Sequence, residues 1–321
     1  MYGEFKKGLV SVVIPTYNQV QFIDDTLGSI VAQSYKDLEI IVSDDCSQDG
    51  TIDKILNWSK LDSRILPLIS TENVGLSKNV NKGLDMAKGE FIAMMGGDDK
   101  MAPSKIEKQV EFLTKHADYS VVLHWVEIFD GKSGNQLNVI KSNILHSPTD
   151  WFSPFNYFGQ RKNGNSTFPP TAYLARSSYA LHSRYDSRLK FKNEILFAID
   201  NYMNNKAAKW HCIPEVLGYY RLHENNMHKS VDMNNALLEE TYVNSAIASA
   251  RYPSLAGGMK NVVIHFLLNN LFYLYLDESS SQDSAIKDTK ARLRAEAGLL
   301  RYWYSIFAIK ARLFFRKIRN K

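Results

Sequence analysis

The feature that most constrains this chain is an alternation of two periods over its first hundred residues. Apolar runs rich in β-branched residues occur at 9–15 (LVSVVIP), 38–45 (LEIIVSDD), 65–70 (ILPLIS) and 90–97 (EFIAMMGG). Each is short and bounded by turn residues, the pattern of a buried strand. Between them the apolar spacing becomes helical: Ile23, Leu27, Ile30 and Val31 fall at i, i+4, i+7 and i+8. The segment DGT (49–51) supplies a turn and an N-cap, Gly89 is read as the residue just past a helix C-terminus, and Pro103 marks the start of a following helix. Strand–helix alternation of this kind predicts right-handed crossovers and a mostly parallel sheet flanked by helices.

In such sheets ligands bind outside the carboxyl ends of the strands. Those ends carry PTYN (15–18), SDDCSQDGT (43–51) and GGDDK (96–100). Neither a G-x-G-x-x-G after the first strand nor a G-x-x-x-x-G-K-[ST] is present, which argues against a dinucleotide-binding enzyme and a P-loop NTPase. Asp98 and Asp99 are adjacent like charges. They read either as a solvated turn or as a divalent-cation site, where Mg²⁺ or Mn²⁺ bridging to a phosphate removes their repulsion. Asp44 and Asp45 repeat the theme, with capping as the plain alternative.

Composition narrows the class. With 321 residues, 45% of them hydrophobic, the chain can bury a large core. Cys46 and Cys212 are too far apart for a metal-ligand spacing and argue against a disulfide framework, so a reducing compartment is expected. MYGEFKKG at the start lacks the apolar core of a signal peptide, which points to the cytoplasm. The net charge of +5 is too mild to imply nucleic acid. The charge is uneven, however: ten basic residues and one acid lie between Lys290 and Lys321.

From about 118 the alternation loosens. A strand is expected at 119–129, a turn at 132–136, an aromatic, Gly/Asn/Pro-rich loop suited to an acceptor at 151–170, and a strand followed by a polar cluster within 212–226. The apolar segment 262–276 is too short for a bilayer span and reads as a buried helix. Beyond about 235 the pattern is helical, which suggests residues 1–230 as an α/β domain and 231–321 as a helical appendage.

VSVVIPTYNQVQFIDDTLGSIVAQSYKDLEIIVSDDCSQDGT, followed by ENVGLSKNVNKGLDMAKGEFIAMMGGDD, resembles the family 2 glycosyltransferases of the GT-A fold over about the first 115 residues. The resemblance implies an inverting transfer of sugar from a nucleotide donor, a UDP-sugar first among them, with Mn²⁺ or Mg²⁺ held by an Asp-x-Asp type motif. By position, Pro15, Tyr17 and Asp45 would contact the nucleoside, Asp98 the ribose or donor sugar, and Asp99 the metal. Lys78 stands where many members have arginine, near the donor phosphates. Many members read Asp-x-Asp-Asp where this chain has Gly96.

The second half resembles the family more weakly. Residues 185–205 look like the segment holding the catalytic base, with Glu194 best placed and Asp200 in reserve. The usual Glu-Asp pair is absent, Lys192 and Asn193 preceding Glu194. EVLGYYRLHENN (215–226) looks like the Tyr-Arg-x-His stretch, which makes Arg221 a diphosphate contact and His223 a metal ligand. A helix-surface acid and a solvated loop histidine are the plain alternatives.

A helix over 299–319 would gather Arg301, Arg312, Arg316 and Arg319 on one arc and Tyr302, Ile306, Ile309 and Leu313 on another. That suits an anionic membrane surface presenting a lipid-linked acceptor, or packing on the catalytic domain. The combined expectation is an enzyme of bacterial O-antigen or capsule type, at the inner face of the cell membrane, acting on a glycolipid or oligosaccharide. The rivals are a nucleotidyltransferase and a noncatalytic nucleotide-sugar or membrane-binding module.

Overall fold

A computed structural model describes residues 4–141, 169–189, 193–205, 207–224 and 226, with scattered positions at 247–248, 250–253 and 291; the side chains of Glu194, Ile195 and Tyr202 fall outside it. The expected helices at 262–276 and 299–319, and all but the end of the 151–170 loop, lie outside the described residues. The chain divides into two compact units, Met1–Lys229 and Ser230–Lys321.

The expected alternation forms the first half of a nine-stranded sheet. In chain order come β1 (Lys6–Thr16), α1 (Ile23–Val31), β2 (Leu38–Asp44), α2 (Thr51–Leu61), β3 (Ile65–Ile69), α3 (Leu76–Met86) and β4 (Gly89–Met94). Then follow β5 (Lys100–Met101), α4 (Lys105–Lys115), β6 (Tyr119–Asp130), β7 (Gln136–Ile140), a 3-10 turn (Pro170–Ala172), β8 (Leu174–Arg176), α5 (Ser177–Ala180), α6 (Asn193–Asn204) and β9 (Lys209–Leu222).

The order across the sheet is β3-β2-β1-β4-β8-β6-β9-β5, with β7 beside β6. β1 pairs in parallel with β2 and β4, and β2 with β3. β8 then runs antiparallel between β4 and β6, so β6 and its parallel neighbour β9 recover the direction of β4. β5 and β7 oppose β9 and β6. Six strands thus share one direction, a mixed but mostly parallel sheet.

Alternation along β1 divides the core. Val10, Val12 and Ile14 face Ile23, Leu27 and Ile30 of α1, Ile55 of α2 and Ile106 and Leu113 of α4. Val13 faces the other layer, with Val80 and Leu84 of α3. Each fully buried aliphatic side chain contributes about 1.5–3 kcal/mol relative to exposure. α3 lies close to the sheet because Gly83 has no side chain: a Cβ there would fall 2.6 Å from Val13 Cγ1.

Two expected boundaries move. Gly89 is not a helix-end glycine; α3 stops at Met86 and Gly89 opens β4. It is glycine because a Cβ would fall 2.6 Å from the Leu9 carbonyl and 2.8 Å from the Ser11 nitrogen. The cap before α2 is Gly50, at φ +96°, not Thr51, whose N–H and hydroxyl both go to Asp49 Oδ1.

Candidate active site

Three strand ends build one edge. β1 ends at Thr16, β2 at Asp44, and the loop after β4 carries Gly96 to Asp99. The loop is closed from the far side of the sheet, because the antiparallel pair Lys100–Tyr219 places Arg221 opposite Asp98.

Asp99 is buried, 2% exposed, and its Oδ1 accepts the Arg221 backbone N–H at 3.0 Å. Burial first, and the neighbouring Asp98 charge second, push the Asp99 carboxyl well above the usual carboxylate range; Arg221 pulls it partly back. Arg221 is itself buried. Its Nε donates to the Asp98 carbonyl at 2.8 Å and its Nη2 to Asp25 Oδ2 at 2.9 Å. The guanidinium is flanked by the rings of Phe22 and Phe129, each 4.9 Å from its carbon. Thr26 on α1 fixes the loop from below, its hydroxyl lying 2.9 Å from the Gly97 carbonyl and 2.8 Å from that of Asp99.

Asp98 faces His223, whose Nε2 lies 2.9 Å from Oδ2, while the Asn226 amide donates to the same oxygen at 3.4 Å. The His223 ring leans on Phe22 at 4.4 Å, and its buried Nδ1 has no hydrogen-bond partner among the described residues. The sequence reading made Asp99 and His223 metal ligands; in the structure His223 lies against Asp98, while Asp99 Oδ1 accepts the Arg221 amide. Arg221 lies under the loop, its Nε and one Nη2 N–H given to the Asp98 carbonyl and to Asp25. At Gly96, where many members carry an acid, a Cβ would lie 2.6 Å from Asp98 Oδ1, so the Asp98 carboxylate would have to turn aside.

The nucleoside candidates lie along the same edge. Pro15 pairs with Ser43 near the end of β1, and Tyr17 is 48% exposed. Asp45 is buried, and its carboxylate accepts the Val74 and Gly75 N–H groups at 2.8 Å each, holding the turn into α3. Asp44 is a capping residue, bonded to Thr16, the Ser47 amide and the Ser47 hydroxyl. Lys78 is exposed in the first turn of α3. Glu194 lies in the first turn of α6, with Asp200 buried about 9 Å further along the axis at 1.5 Å per residue.

Among the described residues no group of three or more His, Cys, Asp or Glu converges for a metal ion. Asp98 Oδ2 and His223 Nε2 do form a pair. Their 2.9 Å separation is that of adjacent ligands on an octahedral cation, about 3 Å for bonds of about 2.1 Å.

Sequence reasoning missed Asp25, Thr26, Phe22 and Phe129, which hold Arg221 and the acidic loop. Their signal was present only as a helical pattern in FIDDTL and an apolar strand, neither of which names partners 71 or more residues away.

A mostly parallel sheet of this order gathers the paired acids on its carboxyl edge, where α/β folds bind ligands. Residues 11–182 match the model of glycosyl transferase family 2, and the chain belongs to that family. It is 41% identical over 111 residues to the Bacillus subtilis glycosyltransferase TuaG, named for teichuronic acid biosynthesis, covering 35% of this chain and 44% of that one. It is 32% identical over 227 residues to an uncharacterized glycosyltransferase of Haemophilus influenzae, covering 68% of this chain. The chain thus spans 44% and 66% of the lengths of these relatives.

The fold resembles that of S. aureus TarS 1-349 in complex with UDP-GlcNAc, with a TM-score of 0.61, 18% identity and coverage of 90% of this chain and 81% of that one. It also resembles the mannosyltransferase PcManGT of Pyrobaculum calidifontis in complex with GDP-Man and Mn²⁺, with a TM-score of 0.58, 18% identity and coverage of 95% and 79%.

Proposed function

We propose that the chain is an inverting glycosyltransferase that moves a sugar from a nucleotide-sugar donor to a lipid-linked or polysaccharide acceptor. The observation that carries this reading is the Asp98–Asp99 loop, which Arg221, His223 and Thr26 fix at the carboxyl edge of the sheet. Family membership supports the transfer, and the donors bound by TarS and PcManGT support a nucleotide sugar, with UDP-sugars the first class to test. The name of TuaG supports a cell-surface polysaccharide as the product class.

The geometry supports the following division of labour. Tyr17 and the Asp45-held turn line the nucleoside end, and Lys78 stands beside it, toward the donor phosphates. Asp98 and His223 offer the paired ligands for Mn²⁺ or Mg²⁺, with Asp99 behind them. Asp98 and His223 would hold such a cation, which would supply positive charge for the diphosphate leaving group. Glu194 accepts the acceptor hydroxyl proton as that oxygen attacks the anomeric carbon from the side opposite the diphosphate. Arg221 keeps the acidic loop in place with buried hydrogen bonds, so its contribution is made before the donor arrives. The basic C-terminal tail, outside the described residues, serves in this reading as the contact with an anionic membrane.

The test is nucleoside diphosphate release from UDP-glucose, UDP-GlcNAc and GDP-mannose, with and without Mn²⁺. Release of diphosphate with free or transferred sugar from one donor, dependent on Mn²⁺, is expected. Release of pyrophosphate, or silence with every donor, contradicts the reading.

A further inference from the structure

The usual Glu-Asp pair is absent here, Lys192 and Asn193 preceding Glu194, and Asn193 is fully buried at the first position of α6. All of its side-chain polar groups are used. Nδ2 donates to Ser77 Oγ at 2.8 Å and to the Leu189 carbonyl at 2.8 Å, and Oδ1 accepts the Asp186 N–H at 2.6 Å. Ser77, also buried, donates its hydroxyl to the same Leu189 carbonyl at 2.8 Å. An acid at 193 would have no N–H for Ser77 and Leu189 and would bury a charge.

Ser77 belongs to the first turn of α3, and that turn starts from Gly75, at φ +85°, where Asp45 holds the Val74 and Gly75 amides. A continuous path therefore runs from Asp45, through residues 74–77, to Asn193 and the backbone of Glu194. A second tie lies one turn along α3, where Asn81 accepts from and donates to the Tyr185 backbone at 2.8 Å each way.

We propose that Asn193 and Ser77 are positioning residues that lock the entrance turn of α6 to the entrance turn of α3, fixing Glu194 relative to the nucleoside end of the site. This rests on the reading of Glu194 as the base. A misplacement of about 1 Å at a reacting group can cost about 100-fold in rate, so a hydrogen-bonded lock at this point has kinetic weight without touching substrate.

The experiment uses the full chain and whichever of UDP-glucose, UDP-GlcNAc or GDP-mannose it turns over. Asn193→Ala and Asn193→Asp are expected to lower kcat about 10- to 100-fold while KM for the donor stays within about threefold. Ser77→Ala should have a smaller effect of the same kind, and Ser77→Ala with Asn193→Ala should be no worse than Asn193→Ala alone, because both remove one link. Amide exchange in 74–80 and 194–197 should accelerate in Asn193→Ala, which reports the loosened turn without any substrate. Glu194→Gln is measured in parallel. Turnover retained in Glu194→Gln overturns the base assignment and this role with it. Turnover lost in Glu194→Gln but kept within about twofold in Asn193→Ala overturns the positioning role alone, as does a loss carried by KM instead of kcat.

Discussion

The Arg221 backbone N–H points at Asp99 Oδ1 across 3.0 Å, and the same residue's Nε–H holds the Asp98 carbonyl at 2.8 Å. One residue of β9 thus grips two successive residues of a loop more than 120 positions earlier. The acidic pair is tolerable at a strand end because a buried cation and a backbone amide are supplied from across the sheet.

Removing that cation should be costly. Arg221→Ala leaves Asp99 buried beside Asp98 without its nearest positive charge, and a loss of about 3–5 kcal/mol is expected in urea unfolding. Asp25→Ala removes a partner whose side chain is 57% exposed, so a loss below about 1 kcal/mol is expected. Equal losses would contradict the assignment of Arg221 to the acidic loop.

A steric prediction concerns Gly96. Its missing Cβ leaves room for Asp98 Oδ1, which a methyl group would meet at 2.6 Å. Asp98 is held by His223, so Gly96→Ala must displace one of them. A fall in turnover of about tenfold or more is expected, with about 1–3 kcal/mol of overpacking cost. Unchanged turnover would show that the Asp98–His223 contact has no part in the reaction.

Stability should depend on pH through Lys105, which is fully buried; desolvation brings its pKa down to about 7. Between pH 10.5 and 7 the unfolded chain takes up a proton that the folded chain does not, so stability falls as pH falls through this window and levels off below it. Lys105→Met keeps the volume and removes the penalty. It should stabilise the protein at pH 7 and below, with the gain shrinking toward pH 10; a gain independent of pH would contradict the buried neutral lysine.

The first four strands were legible because β-branched runs and helical spacing are local signals. β8 was not: three residues that reverse direction between β4 and β6 carry no periodicity, and their place is set by pairing on both sides. Gly89 was misread because a glycine past a helix and a glycine under a strand look alike in sequence. Asp98 and Asp99 stood out, but their different environments did not, since His223 and Arg221 approach from 125 and 122 residues away. Asn193 read as a missing acid; only its three partners show what the amide does instead.

The most direct test of the account is Asp99→Asn, which keeps the shape and the acceptor for Arg221 but removes the charge. Because burial and Asp98 raise the Asp99 pKa, the folded state loses stability from this group as pH rises above the normal carboxylate range, and the amide removes that loss. Diphosphate release and thermal melting are measured on the same preparation at pH 7. The predicted result is turnover lowered about 100-fold or more with a melting temperature equal to or above that of the unmodified chain. Near-normal turnover in this variant would contradict the placement of the reaction at the Asp98–Asp99 loop.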